Sequence, residues 1–309
     1  MRHVWVGLVA LLWPVEALAS PKVIASVVPV HSIVAAVMGG TGQPQLLLKG
    51  SLSEHRAAFT AAQIVELGRA DLVFIAGRGL EAKLAQLSGS EAVNGKVFVA
   101  LGEAPGVAML PIREGGAWEG HDDDHDDDAQ SAAEEGVLAS DPHVWLDPGN
   151  AKAMAAAAAA ELSRADPANA ARYDANAKSF AADIDRVSGA IAAELAPVKD
   201  KPFIVFHDAY QYFEKRFGLH AVGSITDVSA HAPSAERLRE IRAKLAASGA
   251  VCVFHEPQYD GKAADTVLEG SSARAGILDP LGAALTPGAS AYGELLRNLA
   301  TALRGCLAG

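Results

Sequence analysis

The stretch Pro167–Leu195, PANAARYDANAKSFAADIDRVSGAIAAEL, contains no proline after its first residue. Its apolar residues recur at steps of three and four, the pattern of a helix with one buried stripe; they are Ala171, Phe180, Ile184, Val187, Ile191 and Leu195. We expect Asp166 to cap this helix and Pro167 to lie in its first turn. A helix of this length is a rod of about 45 Å, which can connect two lobes. An ordinary surface helix within one domain is the alternative.

Strand-like and helix-like segments alternate on both sides of this stretch. Such alternation indicates crossover units and parallel sheets. We predict an α/β fold of two (β/α)4-type lobes, each with its own core, joined by one long rigid backbone helix with a cleft between the lobes. The predicted strands are Val23–Val30, Gln45–Lys49, Asp71–Ala76 and Lys96–Leu101 in the first lobe, and Pro202–Phe206, His220–Ile225, Val251–Phe254 and Ala275–Leu278 in the second.

The first residues have the features of a secretory signal peptide. Arg2 is followed by the apolar run Val4–Trp13, which is too short to span a bilayer, and by the small-residue cleavage motif ending at Ala19. We expect cleavage near Ala19 and export to the periplasm; an uncleaved membrane anchor is the alternative. The expected divisions are a signal peptide (1–19), an N-terminal lobe (20–165), a linking helix (166–196) and a C-terminal lobe (197–309).

The chain has two cysteines, Cys252 and Cys306. In an oxidising compartment such a pair is expected to form a disulfide, which in a loop of about 54 residues stabilises the fold by roughly 4 kcal/mol. Thiolate metal ligands are the alternative, although the spacing matches no zinc-finger pattern. Neither cysteine lies near the amino terminus to carry a lipid, so we expect a soluble periplasmic protein.

Residues 119–135 include nine acidic side chains and no Lys or Arg. Without these nine charges the net charge of −11 becomes −2, so positive and negative charges nearly balance in the rest of the chain. We expect no nucleic-acid partner, because nucleic-acid binding needs a concentrated basic surface. Two histidines, His121 and His125, lie among six aspartates, which predicts a solvated segment that collects divalent cations weakly. A merely solubilising insertion is the alternative.

Four potential metal ligands each follow an apolar, strand-like run: His55, His143, His207 and Asp279. Polar residues at the carboxyl ends of strands in open α/β sheets converge on one place, which predicts a metal site in the cleft between the lobes. Three imidazoles and a carboxylate suit tetrahedral Zn²⁺. Asp279 could equally cap the helix that follows it, and Glu54 or water could then complete the site.

Five motifs in this order resemble the zinc-binding periplasmic components of ABC importers, the ZnuA-like solute-binding proteins. They are SEH (53–55), DPHVWLDP (141–148), FHDAYQYFEKRFGL (206–219), FHEPQY (254–259) and ILDPLG (277–282). The resemblance covers nearly the entire mature chain. It implies two lobes with a single backbone helix, and zinc bound at the lobe interface for delivery to a membrane permease.

The resemblance also assigns roles to single positions. His55, His143 and His207 match the three histidine ligands, and Asp279 matches the carboxylate that completes the site in some members. Cys252 and Cys306 match the disulfide of some members.

Histidine at position 207 bears on the identity of the metal. Manganese-binding relatives usually have glutamate there, and a nitrogen-rich site favours Zn²⁺ over Mn²⁺. A manganese- or iron-binding member of the same family is the alternative. A secreted zinc hydrolase that uses Glu54 as its base is a more distant one, since the sequence has no HExxH helix and no nucleophile elbow. We therefore expect a monomeric binding protein without enzymatic activity, in which the stiff linking helix allows only small rearrangements.

Overall fold

The structure is a computed structural model that describes residues 20–50, 53, 55, 58–118 and 140–309. The expected signal peptide, the acidic segment 119–135 and Glu54 lie outside the described residues. No helix in the described ranges has both the length and the apolar composition of a membrane span.

The structure confirms two parallel four-stranded sheets, one on each side of the long helix. The N-terminal sheet has the order β2-β1-β3-β4 and the C-terminal sheet the order β6-β5-β7-β8. The strands are β1 (Val23–Ala25), β2 (Gln45–Leu46), β3 (Leu72–Ile75), β4 (Val97–Ala100), β5 (Phe203–Val205), β6 (Ala221–Ser224), β7 (Cys252–His255) and β8 (Arg274–Ile277).

Helices follow most of the strands, as crossover units require. They are α1 (Val28–Met38), α2 (Ala61–Arg69), α3 (Ala82–Leu87), α4 (Pro148–Ala165), α5 (Ala170–Leu195), α6 (Gln211–Phe217), α7 (Ala235–Ser248), α8 (Lys262–Leu268) and α9 (Ala291–Ala308).

The strand predicted over Val23–Val30 is wrong beyond Ala25. Helix α1 begins at Val28, and Pro29 lies in its first turn, where a missing N–H costs no hydrogen bond. The helix is buried on nearly all sides, so its sequence has no polar face. An apolar run of this kind does not distinguish a buried strand from a buried helix.

The predicted long helix is confirmed, although its first turn differs from the prediction. A 3₁₀ turn spans Pro167–Asn169 and α5 starts at Ala170. Asp166 does not cap the backbone; its Oδ2 accepts hydrogen bonds from Asn169 Nδ2 and Tyr173 Oη. Ala171 is exposed, and the buried stripe consists of Tyr173, Ala177, Phe180, Ile184, Val187, Ile191 and Leu195.

The two lobes share a hydrophobic core along α5, which contacts α1, α4 and α9. Phe180 of α5, for example, packs against Tyr292 of α9 with ring centroids 5.8 Å apart. In the described residues, separate apolar clusters lie on the other face of each sheet, and a small one joins Val28 and Leu46 to Ala291 of α9. The expectation of an independent core in each lobe is therefore wrong, because these helices present apolar faces to both lobes.

Buried hydrogen bonds also join the lobes. Trp145 Nε1 donates to the carbonyl oxygen of Pro280 at 2.9 Å, and Tyr292 Oη donates to the carbonyl oxygen of Trp145 at 2.6 Å. Within the C-terminal lobe, the predicted disulfide between Cys252 and Cys306 is confirmed and ties β7 to α9.

Candidate metal centre

Three of the four predicted ligands lie together between the lobes. One ligand atom from each of His55, His143 and His207 lies within 4.8 Å of the other two. His143 and His207 are buried, whereas His55 is partly exposed. The exposure of His55 does not extend to its Nε2 atom, which is buried.

The three histidines are positioned by different local structures. His55 lies in the segment between β2 and α2, and His207 follows β5 directly. His143 does not follow a strand, which corrects the sequence interpretation. It precedes the 3₁₀ turn Val144–Leu146, which leads to α4, where Asp147 accepts a hydrogen bond from the backbone N–H of Gly149.

The two buried rings face each other through their Nε2 atoms, which are 3.2 Å apart. Their Nδ1 atoms contact carboxylates: His143 Nδ1 lies 2.9 Å from Asp141 Oδ1, and His207 Nδ1 lies 2.8 Å from Glu256 Oε1. An ionised carboxylate only accepts hydrogen bonds, so when Asp141 and Glu256 are ionised each Nδ1 holds the ring proton and each Nε2 keeps a lone pair. Two lone pairs that face each other repel unless a proton or a metal ion lies between them.

The separation of these atoms fits a zinc ion. Two nitrogen ligands at about 2.0 to 2.1 Å from Zn²⁺ in tetrahedral geometry are about 3.3 Å from each other. The observed 3.2 Å between the Nε2 atoms of His143 and His207 is close to this expected distance between two zinc ligands. The contacts between Nδ1 and carboxylate orient the rings, as they commonly do at zinc sites.

Burial favours the neutral form of His143 and of His55. It lowers the pKa of His143 and of His55 well below the usual value, and the charge of His207 acts in the same direction on both. Burial also raises the pKa of Asp141 to about 7, against the hydrogen bond from the backbone N–H of His143. A metal ion competes with protons for a ligand, so neutral imidazoles bind it more readily at mildly acidic pH.

Asp279, the fourth predicted ligand, does not lie in this group in the described structure. Its Oδ1 accepts hydrogen bonds from the N–H groups of Leu281 and Gly282 and from Gln258 Nε2, and its Oδ2 accepts from the N–H of Ala283. These N–H groups belong to a turn, and the next helix, α9, begins only at Ala291, so the structure does not show the helix cap that the sequence allowed as the alternative. Asp279 would have to exchange some of these contacts to reach an ion held by the histidines.

A buried ion-pair cluster supports the segment that carries His207. Arg113 Nε lies 2.9 Å from both carboxylate oxygens of Asp208, and Arg113 also pairs with Glu214 at 3.0 Å. The guanidinium lies over the Trp118 ring, 3.5 Å from its centroid. Burial raises the pKa of Asp208, and Arg113 opposes that change. The chain that leads to the acidic segment is therefore anchored beside a candidate ligand.

Asp141 and Glu256 are functional candidates that the sequence analysis did not identify. Asp141 is two residues before His143, so its contact with that ring could have been inferred from the sequence. Glu256 is 49 residues from His207 and reaches it only through the pairing of β5 with β7. Among the other histidines, His31 is a buried residue of α1 whose Nε2 donates to the carbonyl oxygen of Pro44 at 3.0 Å. His255 ends β7 and is partly exposed.

The chain is similar to known proteins over most of its length. Residues 23–306 match the family described as ZnuA, zinc-uptake complex component A, periplasmic. The chain is 45% identical over 305 residues to the high-affinity zinc uptake system protein ZnuA of Brucella abortus (strain 2308), which covers 92% of this chain and 91% of that protein.

Two solved structures share the fold. A crystal structure of ZnuA has a TM-score of 0.76 at 24% identity and covers 93% of this chain and 99% of that one. The solute-binding protein FpvC of Pseudomonas aeruginosa in complex with Ni²⁺ has a TM-score of 0.76 at 19% identity, covering 93% and 97%. At these identities the likeness concerns the fold alone.

Proposed function

Because this chain belongs to the ZnuA family of periplasmic zinc-uptake components, we propose that His55, His143 and His207 hold the zinc ion that it transports. The protein is the zinc-binding component of an ABC importer, with zinc as its cargo and a membrane permease as its partner. The observation that carries the assignment of residues is the pair of Nε2 atoms 3.2 Å apart, each on a ring whose Nδ1 contacts a carboxylate.

The fourth position of the zinc shell has three candidates: Asp279, Glu54 and water. Asp279 retains its role as a proposed ligand, because a carboxylate oxygen completes a tetrahedral shell with three imidazoles. Its Oδ2 accepts only one of the described hydrogen bonds. Asp279→Asn and Glu54→Gln, compared with the wild type, separate the candidates by which change weakens zinc binding.

Zinc rather than manganese or iron is the proposed cargo metal. Three imidazole nitrogens form a site of intermediate softness, and divalent zinc ranks above manganese and iron in the general affinity order. The protein is proposed to be a monomer that is exported and cleaved near Ala19, and to have no enzymatic activity. The acidic segment 119–135 is proposed to collect zinc weakly; a deletion that leaves growth under chelation unchanged would make it a solubilising insertion.

Competition titration of the metal-stripped mature protein against a zinc chelator tests the assignment. We expect one tightly bound zinc per chain, and weaker binding in each of His55→Ala, His143→Ala and His207→Ala. His220→Ala is the matched control, because His220 is an exposed histidine of the same lobe as His207. Full affinity in two of the three ligand variants would contradict the proposed site. Zinc-dependent hydrolysis that disappears with Glu54→Ala would instead indicate an enzyme.

A further inference from the structure

The segment that carries His143 is held at both ends by one helix, α6, which follows strand β5 of the C-terminal sheet. Tyr212 and Arg216 are four residues apart in α6, so they lie on the same face of the helix. Tyr212 Oη donates a hydrogen bond to the carbonyl oxygen of Asp141 at 2.8 Å. Arg216 forms two hydrogen bonds of 2.8 Å with Asp147, from Nε to Oδ1 and from Nη2 to Oδ2. His143 lies between these two anchored aspartates.

The same helix is joined to both buried ligands. His207 follows β5, and α6 begins at Gln211 shortly after it. On the other side, Asp141 Oδ1 accepts a hydrogen bond from the backbone N–H of His143 at 3.0 Å and lies 2.9 Å from His143 Nδ1. Tyr212 therefore reaches the ring of His143 through a single intervening residue, Asp141.

The hydroxyl group of Tyr212 is buried and makes two hydrogen bonds. The side chain is 2% exposed, and Oη also accepts from the backbone N–H of Leu110 at 2.8 Å. The backbone N–H of Asp141 donates in turn to the carbonyl oxygen of Leu110 at 2.9 Å. Loss of the hydroxyl leaves the Asp141 carbonyl oxygen without this partner, and a buried polar group without a partner is costly. The backbone at Asp141 should then shift.

We propose that Tyr212 and Arg216 are positioning residues of the metal site, which hold His143 opposite His207 before the ion arrives. The inference rests on the proposed function. Ligands that are already in place lose less conformational entropy on binding, so a fixed pair of imidazoles binds the ion more tightly than a mobile pair. Tyr212 and Arg216 act on the ion only through the position of His143.

Two measurements on the mature protein provide the test: zinc affinity by chelator competition, and the visible absorption of bound Co²⁺. Co²⁺ absorbs strongly in a tetrahedral site and weakly when water enters its shell and raises the coordination number. In Tyr212→Phe we expect zinc affinity to fall by about tenfold. The Co²⁺ absorption should weaken, because water replaces a displaced His143. Arg216→Gln should act in the same direction but less, since its pair with Asp147 is partly exposed.

Two control variants separate positioning from stability and from charge. Tyr173→Phe also removes a buried tyrosine hydroxyl, but that hydroxyl donates to Asp166 rather than to a residue that contacts a ligand. Lys215→Gln removes an exposed positive charge next to Arg216 in the chain. Both controls should keep the zinc affinity and the Co²⁺ absorption of the wild type.

Tyr212→Phe is the decisive variant. Unchanged zinc affinity in this variant overturns the proposal. So does a loss of affinity with unchanged Co²⁺ absorption, which would reflect lower stability rather than a displaced ligand. If Tyr212→Phe does not fold, Arg216→Gln decides by the same two measurements. Failure of the proposed function is distinguishable, because the wild type would then lack tight zinc binding or His143→Ala would retain it.

Discussion

Glu256 Oε1 lies 2.8 Å from His207 Nδ1, so a carboxylate 49 residues away along the chain orients a candidate zinc ligand. The same oxygen accepts a hydrogen bond from Tyr210 Oη at 3.1 Å. Both Glu256 and His207 are buried, and a buried carboxylate that contacts an imidazole fixes the ring's tautomer and increases its basicity.

Glu256→Gln should therefore weaken zinc binding by about 10- to 100-fold. The amide keeps the size of the side chain but removes the negative charge that favours the Nδ1 proton on His207. Chelator competition at neutral pH measures the change. Glu236→Gln, at an exposed glutamate of α7, is the control and should bind zinc like the wild type. Equal affinity in the two variants would show that Glu256 does not act on the metal site.

Ser53 and Tyr259 join the two lobes beside the site. Ser53 Oγ lies 3.0 Å from Tyr259 Oη, and Ser53 is two residues from His55. The Tyr259 ring stacks on Phe206, with centroids 4.7 Å apart, and lies 6.1 Å from the ring of His207. This contact thus connects the segment that carries His55 to the surroundings of His207.

Tyr259→Phe and Ser53→Ala should each speed zinc dissociation severalfold, because either change frees the His55 segment from the C-terminal lobe. A double-mutant cycle on the dissociation rates should give a coupling of about 1 kcal/mol. Ser88→Ala, at an exposed serine of the N-terminal lobe, is the control. Additive effects in the double variant would show that the two hydroxyl groups act independently.

The sequence predicts the parts of the site that depend on local pattern. His55, His143 and His207 stand in short motifs, and the stripe from Phe180 to Leu195 predicts most of α5 because a helix repeats every 3.6 residues. The two cysteines of an exported chain predict their disulfide. These features can be inferred without knowing which strands pair.

Other features depend on tertiary contacts that local pattern does not encode. Glu256 meets His207 only after β5 and β7 pair, and the apolar run before Pro29 is equally suited to a buried strand or a buried helix. The position of Asp279 was ambiguous for the same reason. Its carboxylate suits either a metal or the three N–H groups that follow it, and the spatial arrangement of the turn decides between them.

The disulfide between Cys252 and Cys306 should stabilise the fold without affecting zinc affinity. Replacing both cysteines by alanine should lower the free energy of unfolding by roughly 4 kcal/mol, because the loop it closes spans 54 positions. Cys252 begins β7, whereas Glu256 follows the other end of that strand. Denaturant unfolding and chelator competition measure the two quantities, and reduction of the wild type should reproduce the loss of stability. A large loss of zinc affinity under non-denaturing conditions would show that the disulfide also supports the metal site.

The buried carboxyl group of Glu81, which lies away from the metal site, should make the free energy of unfolding depend on pH. Its side chain is buried at the end of β3, and Oε2 accepts hydrogen bonds from the N–H groups of Ala76 at 2.6 Å and Gly77 at 3.3 Å. Burial raises the pKa of Glu81 from 4.5 to about 7, against these hydrogen bonds. The folded protein therefore holds this proton more tightly than the unfolded chain. The stability it contributes is fully present below about pH 4.5 and is lost as the pH rises through about 7.

Glu81→Gln resembles the protonated side chain at every pH. The variant should gain stability over the wild type as the pH rises from 5 to 8, by an amount on the order of 3 kcal/mol. Urea unfolding of the metal-free proteins at both pH values measures this difference, in which the titration of all other groups cancels. Glu91→Gln, at an exposed glutamate of the same lobe, should show little such change. A stability difference between Glu81→Gln and the wild type that is equal at pH 5 and pH 8 would mean that Glu81 is already ionised in the folded protein at pH 5.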